Sequence, residues 1–427
     1  MLSRKSAAVA SLAALSLILG TVARSSLLVL ASVPLVAFLI ISLAVSPGVH
    51  CNIQVERRLS TRTVYEDDEV LVTLHLRNRG AQLDCVEAVD TVPEGLSVTS
   101  GASNGLFGLA PGETYSFSYT VRATTYGNYL IGPLAVRVGD SQMTRVQDQA
   151  FDEVSTLKVL PKIAYVPKLK VRQPRTRNWP GEIVARLPGT GLEFYSIREY
   201  YPGDQLKRIN WKASARTEDS IFTNQYMSEL GGDTIIVVDA RTVSEVGVPP
   251  NSTVTHSVRA AAIIAYRLLR DRNRVGMIVL GSTLNKVFPG FGRRQFDRIL
   301  MALADTKPAE VWDIGLLGSF LSMFFSTKLQ VVVISPLTDD RATNSIIDVA
   351  ARGYEVLVVS PSPLEIMTPT RRDEDRLYHL AERLARMNRQ NTLDSIRRFA
   401  YVVDWNTNSP LGVALSEAVS VWKRARR

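Results

Sequence analysis

Two nearly continuous apolar runs open the chain, Ser6 to Val22 and Ser26 to Val45, parted by Arg24. Each approaches the ~20 residues a helix needs to cross the hydrocarbon core, and the short break between them predicts a transmembrane hairpin over residues 1–46. The competing arrangement is a signal peptide followed by one membrane helix. Met1-Leu2-Ser3-Arg4-Lys5 has the basic start of a signal, but Thr21-Val22-Ala23-Arg24 is a poor cleavage sequence, so the hairpin is preferred. The period then changes. Val70, Val72, Leu74 and Leu76 alternate with polar residues, as do Tyr115, Phe117, Tyr119 and Val121, which is the mark of half-buried strands. Turn sequences separate such strands at Asn78-Arg79-Gly80, Pro93-Glu94-Gly95, Ala110-Pro111-Gly112 and Tyr126-Gly127-Asn128. Residues 47–165 are therefore expected to form an immunoglobulin-like β-sandwich, serving either protein recognition or as a spacer above a membrane.

From residue 231 to the C-terminus the pattern changes again. Continuously apolar strands are expected at 233–239, 275–280, 329–334, 356–359 and 399–403. Helical patterns lie between and after them, at 256–270, 294–304, 316–325, 344–351, 371–389 and 411–424. Apolar strands alternating with helices imply a parallel, Rossmann-like α/β sheet covered on both faces. Ligands of such sheets bind beyond the C-terminal strand ends, where Asp239, Ser335, Thr338, Asp339, Asp340 and Asp404 fall. Carboxylates and hydroxyls there are what a magnesium site requires. No glycine-rich phosphate loop follows the first strand, since Ala240-Arg241-Thr242-Val243 has no glycine. No Ser/His/Asp or Cys/His arrangement has the context of a nucleophile elbow.

Composition narrows this further. With 46% hydrophobic and 21% charged residues, the chain has the makings of folded domains. The net charge of +9 favours an acidic partner or an anionic membrane face. Cys51 and Cys85 make no disulfide framework, and the four histidines have no metal-ligand spacing. Residues 162–186 carry seven basic residues, one acid and four prolines with Pro161 included, a solvated connector or a segment lying on anionic lipid. Aromatics do not interleave with those charges, so nucleic acid is not an expected partner. Arg4 and Lys5, with Arg57, Arg58 and Arg62 after the second run, place both ends of the hairpin on the cytoplasmic side. A two-pass cell-membrane protein with a cytoplasmic soluble part is expected.

The densest mixture of glycine, aromatic and opposite charge lies between the two folded regions, within a linker and signature segment at 166–230. It reads GTGLEFYSIREYYPGDQLKRINWKASAR from Gly189 to Arg216. Tyr201-Pro202-Gly203-Asp204 predicts a type II turn. The stretch closely resembles the signature of domain-of-unknown-function family 58. The resemblance is carried by Gly189, Gly191, Glu193, Phe194, Arg198, Tyr200, Pro202, Gly203, Asp204, Arg208, Ile209, Asn210, Trp211, Lys212 and Ala213-Ser214, ending at Arg216. Tyr126–Asp140 also looks like the strand pair that precedes that signature. The family consists of membrane-anchored proteins with a von Willebrand factor A-like domain, often encoded beside MoxR-type AAA+ ATPases. The resemblance therefore implies such a domain at 231–427 and such an ATPase as partner. Von Willebrand A domains usually carry Asp-x-Ser-x-Ser after their first strand. Here the aligned residues are Asp239, Arg241 and Val243, so both hydroxyls are gone. Asp339 is the candidate distal acid of this degenerate magnesium site, and Arg241 is expected to pair with Asp239 instead.

Three functions compete. The first is a non-enzymatic membrane adaptor whose 189–216 segment braces the α/β domain, so that Trp211→Ala or Arg208→Glu loosens docking and partner binding together. The second is a metal-dependent adhesion protein facing outward, with metal at Asp239. The third is an enzyme using Glu193, Asp204 and Lys212 for acid–base work, for which the sequence offers no substrate.

Overall fold

The computed structural model describes residues 4–45, 51–140, 146–163, 183–217, 220–230, 233–282, 284–310, 312–367 and 376–415. The chain divides into two units, Met1–Val159 and Leu160–Arg427.

The first unit opens with α1 (Arg4–Val22) and α2 (Ser26–Val45), which turn back on one another at Arg24, where φ is 50°. Gly20 permits their close approach, because a Cβ there would lie 2.8 Å from Val29 Cγ2. Hydroxyls of both helices bond back to the preceding turn: Thr21 Oγ1 donates to Ile18 O at 2.8 Å and Ser32 Oγ to Val29 O at 2.7 Å. Among the described residues, one helix near the N-terminus, over Lys5–Val22, is long and apolar enough to cross a membrane.

Among the described residues the unit continues with β1 (Ile53–Leu59), β2 (Thr63–Tyr65), β3 (Glu69–Asn78), β4 (Leu83–Asp90), β5 (Leu96–Gly101), β6 (Asn104–Leu109), β7 (Thr114–Ala123), β8 (Gly127–Ile131), β9 (Leu134–Gly139), β10 (Val146–Phe151) and β11 (Ser155–Leu160). Two four-stranded sheets form, ordered β1-β3-β7-β5 and β10-β9-β4-β6, with β2-β11-β8 as a smaller third. The period-two pattern decides which face is inside. Val70, Val72, Leu74 and Leu76 of β3 are fully buried, and opposite them Tyr119 and Val121 of β7 complete the layer. Tyr115, at the exposed end of β7, instead stacks on Phe107 at 3.9 Å.

Charge placement differs from the sequence expectation at Arg57. It was counted among basic residues flanking the membrane, but its side chain is only 2% exposed inside the sandwich. Its guanidinium donates to both oxygens of Asp90, at 2.5 and 3.2 Å, and Tyr119 Oη donates to Asp90 Oδ2 at 2.6 Å. A buried cation survives only with such partners. Cys51 and Cys85 are both free thiols.

The second unit departs from the expected linker. β12 (Ile183–Glu199) and β13 (Phe222–Leu230) pair antiparallel as a two-stranded ribbon. Proline and glycine in this stretch read as linker chemistry, and the ribbon absorbs them as irregularities: Gly189 and Phe194 both face Tyr226, so the intervening residues bulge. The basic stretch at 164–182 lies outside the described residues.

The α/β elements follow as β14 (Asp233–Asp239), the short pair β15 (Gly247–Val248) and β16 (Asn251–Ser252), α4 (Thr253–Arg270), β17 (Arg274–Leu280), β18 (Leu284–Gly290), α5 (Gly292–Ala304), α6 (Leu317–Phe324), β19 (Gln330–Ile334), α7 (Asp340–Ala351), β20 (Glu355–Pro361), α8 (Pro363–Met367), α9 (Arg376–Arg397) and β21 (Tyr401–Trp405). α3 (Trp211–Ser214) is a single turn before β13. The sheet order is β18-β17-β14-β19-β20-β21, with β14 parallel to both neighbours and β18 antiparallel at the edge. Ile235 to Val238 are fully buried, which explains their uninterrupted apolar run. The edge strand β18 was not anticipated, since LNKVFPG is half exposed and lacks that run. α9 ends eight residues later than the pattern indicated, at Arg397, and β21 starts two later, at Tyr401. Residues 371–375 and 416–424 of the expected helices lie outside the described residues.

Candidate functional site

The parallel strands deliver their C-terminal ends, and the acids on them, to one edge. β14 ends on Asp239, which is fully buried, and β19 leads into Ser335. Asp339 caps α7, accepting from Ala342 N at 3.3 Å. Between them sits Arg241, whose side chain is only 3% exposed. Its Nε donates to Asp239 Oδ1 at 2.9 Å and its Nη2 to Asp239 Oδ2 at 3.0 Å. Nη1 and Nη2 also donate to Asp339 Oδ2 and Oδ1, both at 2.8 Å. Ser335 Oγ donates to Asp239 Oδ2 at 2.7 Å. Burial disfavours the charge on Arg241, but its hydrogen bonds to Asp339 and Asp239 outweigh this and raise its pKa. The Arg241 guanidinium in turn holds the Asp339 carboxyl below its ordinary value.

This arrangement does not fit a divalent cation. The oxygens of Asp239 and Asp339 that would bind one are bridged by a resident guanidinium, and a metal there would have to displace a buried, charge-matched partner. The same device recurs across the sheet. Arg389 of α9 donates to Asp404 Oδ1 at 2.5 and 3.1 Å, to Pro336 O at 3.1 Å and to Ser360 O at 3.3 Å. One arginine thus ties together the ends of β19, β20 and β21. Its role was invisible in the sequence, because a long charged helix pattern marks no single arginine as inward-facing. Among the described residues no cluster of three His, Cys, Asp or Glu is placed to hold a metal. The recess beside Arg241 is lined by Glu310, Trp312, Asp313, Ile314 and Arg341 and encloses about 190 Å³. That is below the ~300 Å³ at which small-molecule pockets usually begin.

His256, in the first turns of α4, adds a pH response to this edge. Its Nε2 lies 2.8 Å from Asn251 Oδ1, and its ring meets Trp405 edge-on at 5.7 Å. Burial, reinforced by Arg259, pushes its pKa down to about 4. Between that value and about 6.5 the unfolded chain binds the proton and the folded one does not, so stability falls as pH falls through this window. Thermal unfolding followed at stepped pH should show this decline, and His256→Gln should flatten it.

The signature residues form a separate site on the ribbon. Asp204 N donates to Tyr201 O at 3.0 Å and Gly203 takes φ of 109°, so the expected turn forms. Asp204 accepts from Arg198 Nη2 at 2.7 Å and from Tyr201 N at 3.1 Å. Asn210 caps α3 by accepting from Ala213 N at 3.0 Å, and its Nδ2 donates to Asn224 Oδ1 at 2.8 Å. Ser214 Oγ accepts from Phe222 N at 2.8 Å. The sequence Asn210 to Ser214 is thereby sewn onto β13. Ile209 is the apolar residue this fold-back buries, whereas Phe194, Trp211 and Tyr201 stay exposed. Asn210→Ala is expected to loosen the fold-back by about 1 kcal/mol, seen as faster amide exchange at Ala213 with the global unfolding midpoint little changed. Asp204 is committed to Arg198 and Lys212 is exposed, so these two candidate acid–base residues do not converge. Gly189, Gly191 and Glu193 lie in β12. Tyr200 N donates to Ile221 O at 2.7 Å, closing the ribbon above Pro202.

The family model described as "Protein of unknown function DUF58" matches residues 196–369, from the end of β12 through the C-terminal edge of the sheet. Uncharacterised proteins of Mycobacterium tuberculosis and Mycobacterium bovis are 28% identical over 143 residues, which is 33% of this chain and 45% of theirs. The chain thus matches less than half the length of these relatives. Solved structures resemble it over about a quarter of its length. A CARDB domain from Pyrococcus furiosus is 14% identical over 26% of this chain and 94% of its own, with a TM-score of 0.19. A FixG-related protein from Vibrio parahaemolyticus is 11% identical over 25% and 95%, with a TM-score of 0.18.

Proposed function

We propose that this chain is a membrane-anchored, non-enzymatic adaptor that presents a von Willebrand factor A-like domain to protein partners. The observation that carries the reading is Arg241, which saturates Asp239 and Asp339 at the edge where a metal, nucleotide or substrate would otherwise be held. The strand order, with an antiparallel strand at one edge and an aspartate closing the central strand, supports the domain assignment. The apolar N-terminal helix supports the anchor, and the adaptor reading takes α1 and α2 as two passes with the soluble part in the cytoplasm. A MoxR-type AAA+ ATPase is the partner implied by the signature resemblance. The test is a pull-down of the full chain from detergent extract with ATP hydrolysis blocked. Enrichment of an AAA+ ATPase is the expected result, and its absence under both ATP and nucleotide-free conditions overturns the partnership.

A further inference from the structure

Within the ribbon's connection, residues 200–217 expose three large apolar or aromatic side chains. Tyr201 is 65%, Leu206 70% and Trp211 68% exposed. Trp211 and Leu206 stand five residues apart with both side chains open to solvent, and an interface between water and an apolar phase favours both. The charges interleaved with Leu206 and Trp211 have one sign. Residues 205–217 contain Lys207, Arg208, Lys212 and Arg216 and no acid. Lys207, Lys212 and Arg216 are exposed, and among the described residues no ion pair holds any of them. Among the described acids nearby, Asp204 is engaged by Arg198, and Glu199 accepts from Ser220 Oγ at 3.5 Å. The fold-back onto β13 through Asn210 and Ser214 fixes the backbone that presents these side chains.

We infer that this connection docks on an anionic lipid surface, with Leu206 and Trp211 entering the headgroup boundary and Lys207, Lys212 and Arg216 meeting lipid phosphates and carboxylates. Tryptophan and leucine interleaved with lysine and arginine is the set that partitions to the membrane–water interface. Each basic residue near such a surface contributes about 1 kcal/mol. An acidic protein surface would satisfy the charges equally, but the chain carries its own membrane-length helix, which keeps a bilayer at high effective concentration. The inference shares only the membrane anchor with the adaptor reading, so failure to capture an ATPase leaves it standing.

The experiment is quenching of Trp211 fluorescence by phosphatidylcholine brominated on its acyl chains, with the full chain reconstituted in vesicles. The Trp211 signal is the difference between the native chain and Trp211→Phe, a change at an exposed site. With phosphatidylserine present, bromine is expected to quench that difference signal. Quenching should disappear in phosphatidylcholine-only vesicles and in the variant combining Lys207→Glu with Lys212→Glu. A Trp211 signal open to aqueous iodide and untouched by bromine in anionic vesicles overturns the inference. So does bromine quenching that is indifferent to lipid charge and to the lysine reversals. Trp211 shielded from both quenchers, and exposed to iodide once co-purifying protein is removed, assigns the surface to a protein and overturns it likewise.

Discussion

Arg241→Ala is expected to destabilise the α/β unit by about 3–5 kcal/mol, the range for breaking a buried ion pair from one side. The reason lies in Asp239, which is fully buried at the end of the central strand. Without the guanidinium it keeps one hydroxyl donor, Ser335, and the backbone amide of residue 241 at 3.3 Å. That is too little to compensate a carboxylate charge held out of water, so the site must loosen and draw in solvent. Asp339 is 21% exposed and should suffer less, because water can replace its partner. The check is chemical denaturation of Arg241→Ala, Asp239→Asn and the double variant. The double variant should be more stable than the sum of the single losses, because it removes the pair rather than stranding one member. Acid should weaken the native pair as well: Asp339, held below its ordinary value, adds stability that is complete above the normal carboxylate range and is lost as pH falls through its lowered pKa. Titration with manganese or magnesium separates this from the outward-facing, metal-dependent alternative. No cation-linked stabilisation is expected in the native chain, and stabilisation abolished by Asp239→Ala would favour the adhesion reading.

The second large effect is expected in the sandwich. Asp90→Ala leaves the guanidinium of Arg57, which is 2% exposed, with the Glu153 carbonyl in place of a charge-matched carboxylate, and removes the acceptor of the Tyr119 hydroxyl. A loss of about 3–5 kcal/mol follows on the same physical ground. Tyr119→Phe should lose only about 1 kcal/mol, because Asp90 retains both contacts to Arg57 when the hydroxyl is removed. Burial, together with the neighbouring Asp90 carboxylate, raises the Tyr119 pKa, so this phenol donates its hydrogen bond throughout the neutral range. Equilibrium unfolding of the two variants gives the comparison directly. Equal losses would mean that the hydroxyl, not the ion pair, holds the network.

The two arginines at these sites show how far one-dimensional reading extends. Arg241 was legible because it stands two residues after the strand-ending Asp239, a separation short enough for the backbone alone to bring them together. Its second partner, Asp339, is 98 residues away, and only the parallel pairing of β14 with β19 puts it in range. Arg57 misled for a related reason. Beside a membrane helix a basic residue reads as a flank, and nothing local reveals that Asp90 waits 33 residues away in β4. Arg389 resembles the other charges of α9 until the sheet edge is built beneath it.

The ribbon marks the same division. Pro202-Gly203 predicted its turn from intrinsic backbone preference, and the turn is there. The surrounding strands were not predicted, since β12 has bulges where glycine and proline interrupt the alternation that would have announced it. Exposure of Leu206 and Trp211 was equally hidden, because an apolar residue in sequence reads as core until the packing is known.

By itself the sequence determined what depends on neighbours a few residues away. Those are the apolar N-terminal runs, the alternating strands of the sandwich, the buried strands of the α/β sheet, the turn at Tyr201 to Asp204 and the Asp239–Arg241 pair. Tertiary structure alone decided the edge strand β18, the bridging of Asp339 by Arg241, the arginine clamp on Asp404, and which aromatics of the signature face solvent. The physical reason is range. Periodicity and backbone preference act within one turn or strand, whereas neutralising a buried acid requires a partner delivered from a distant element by the assembled sheet.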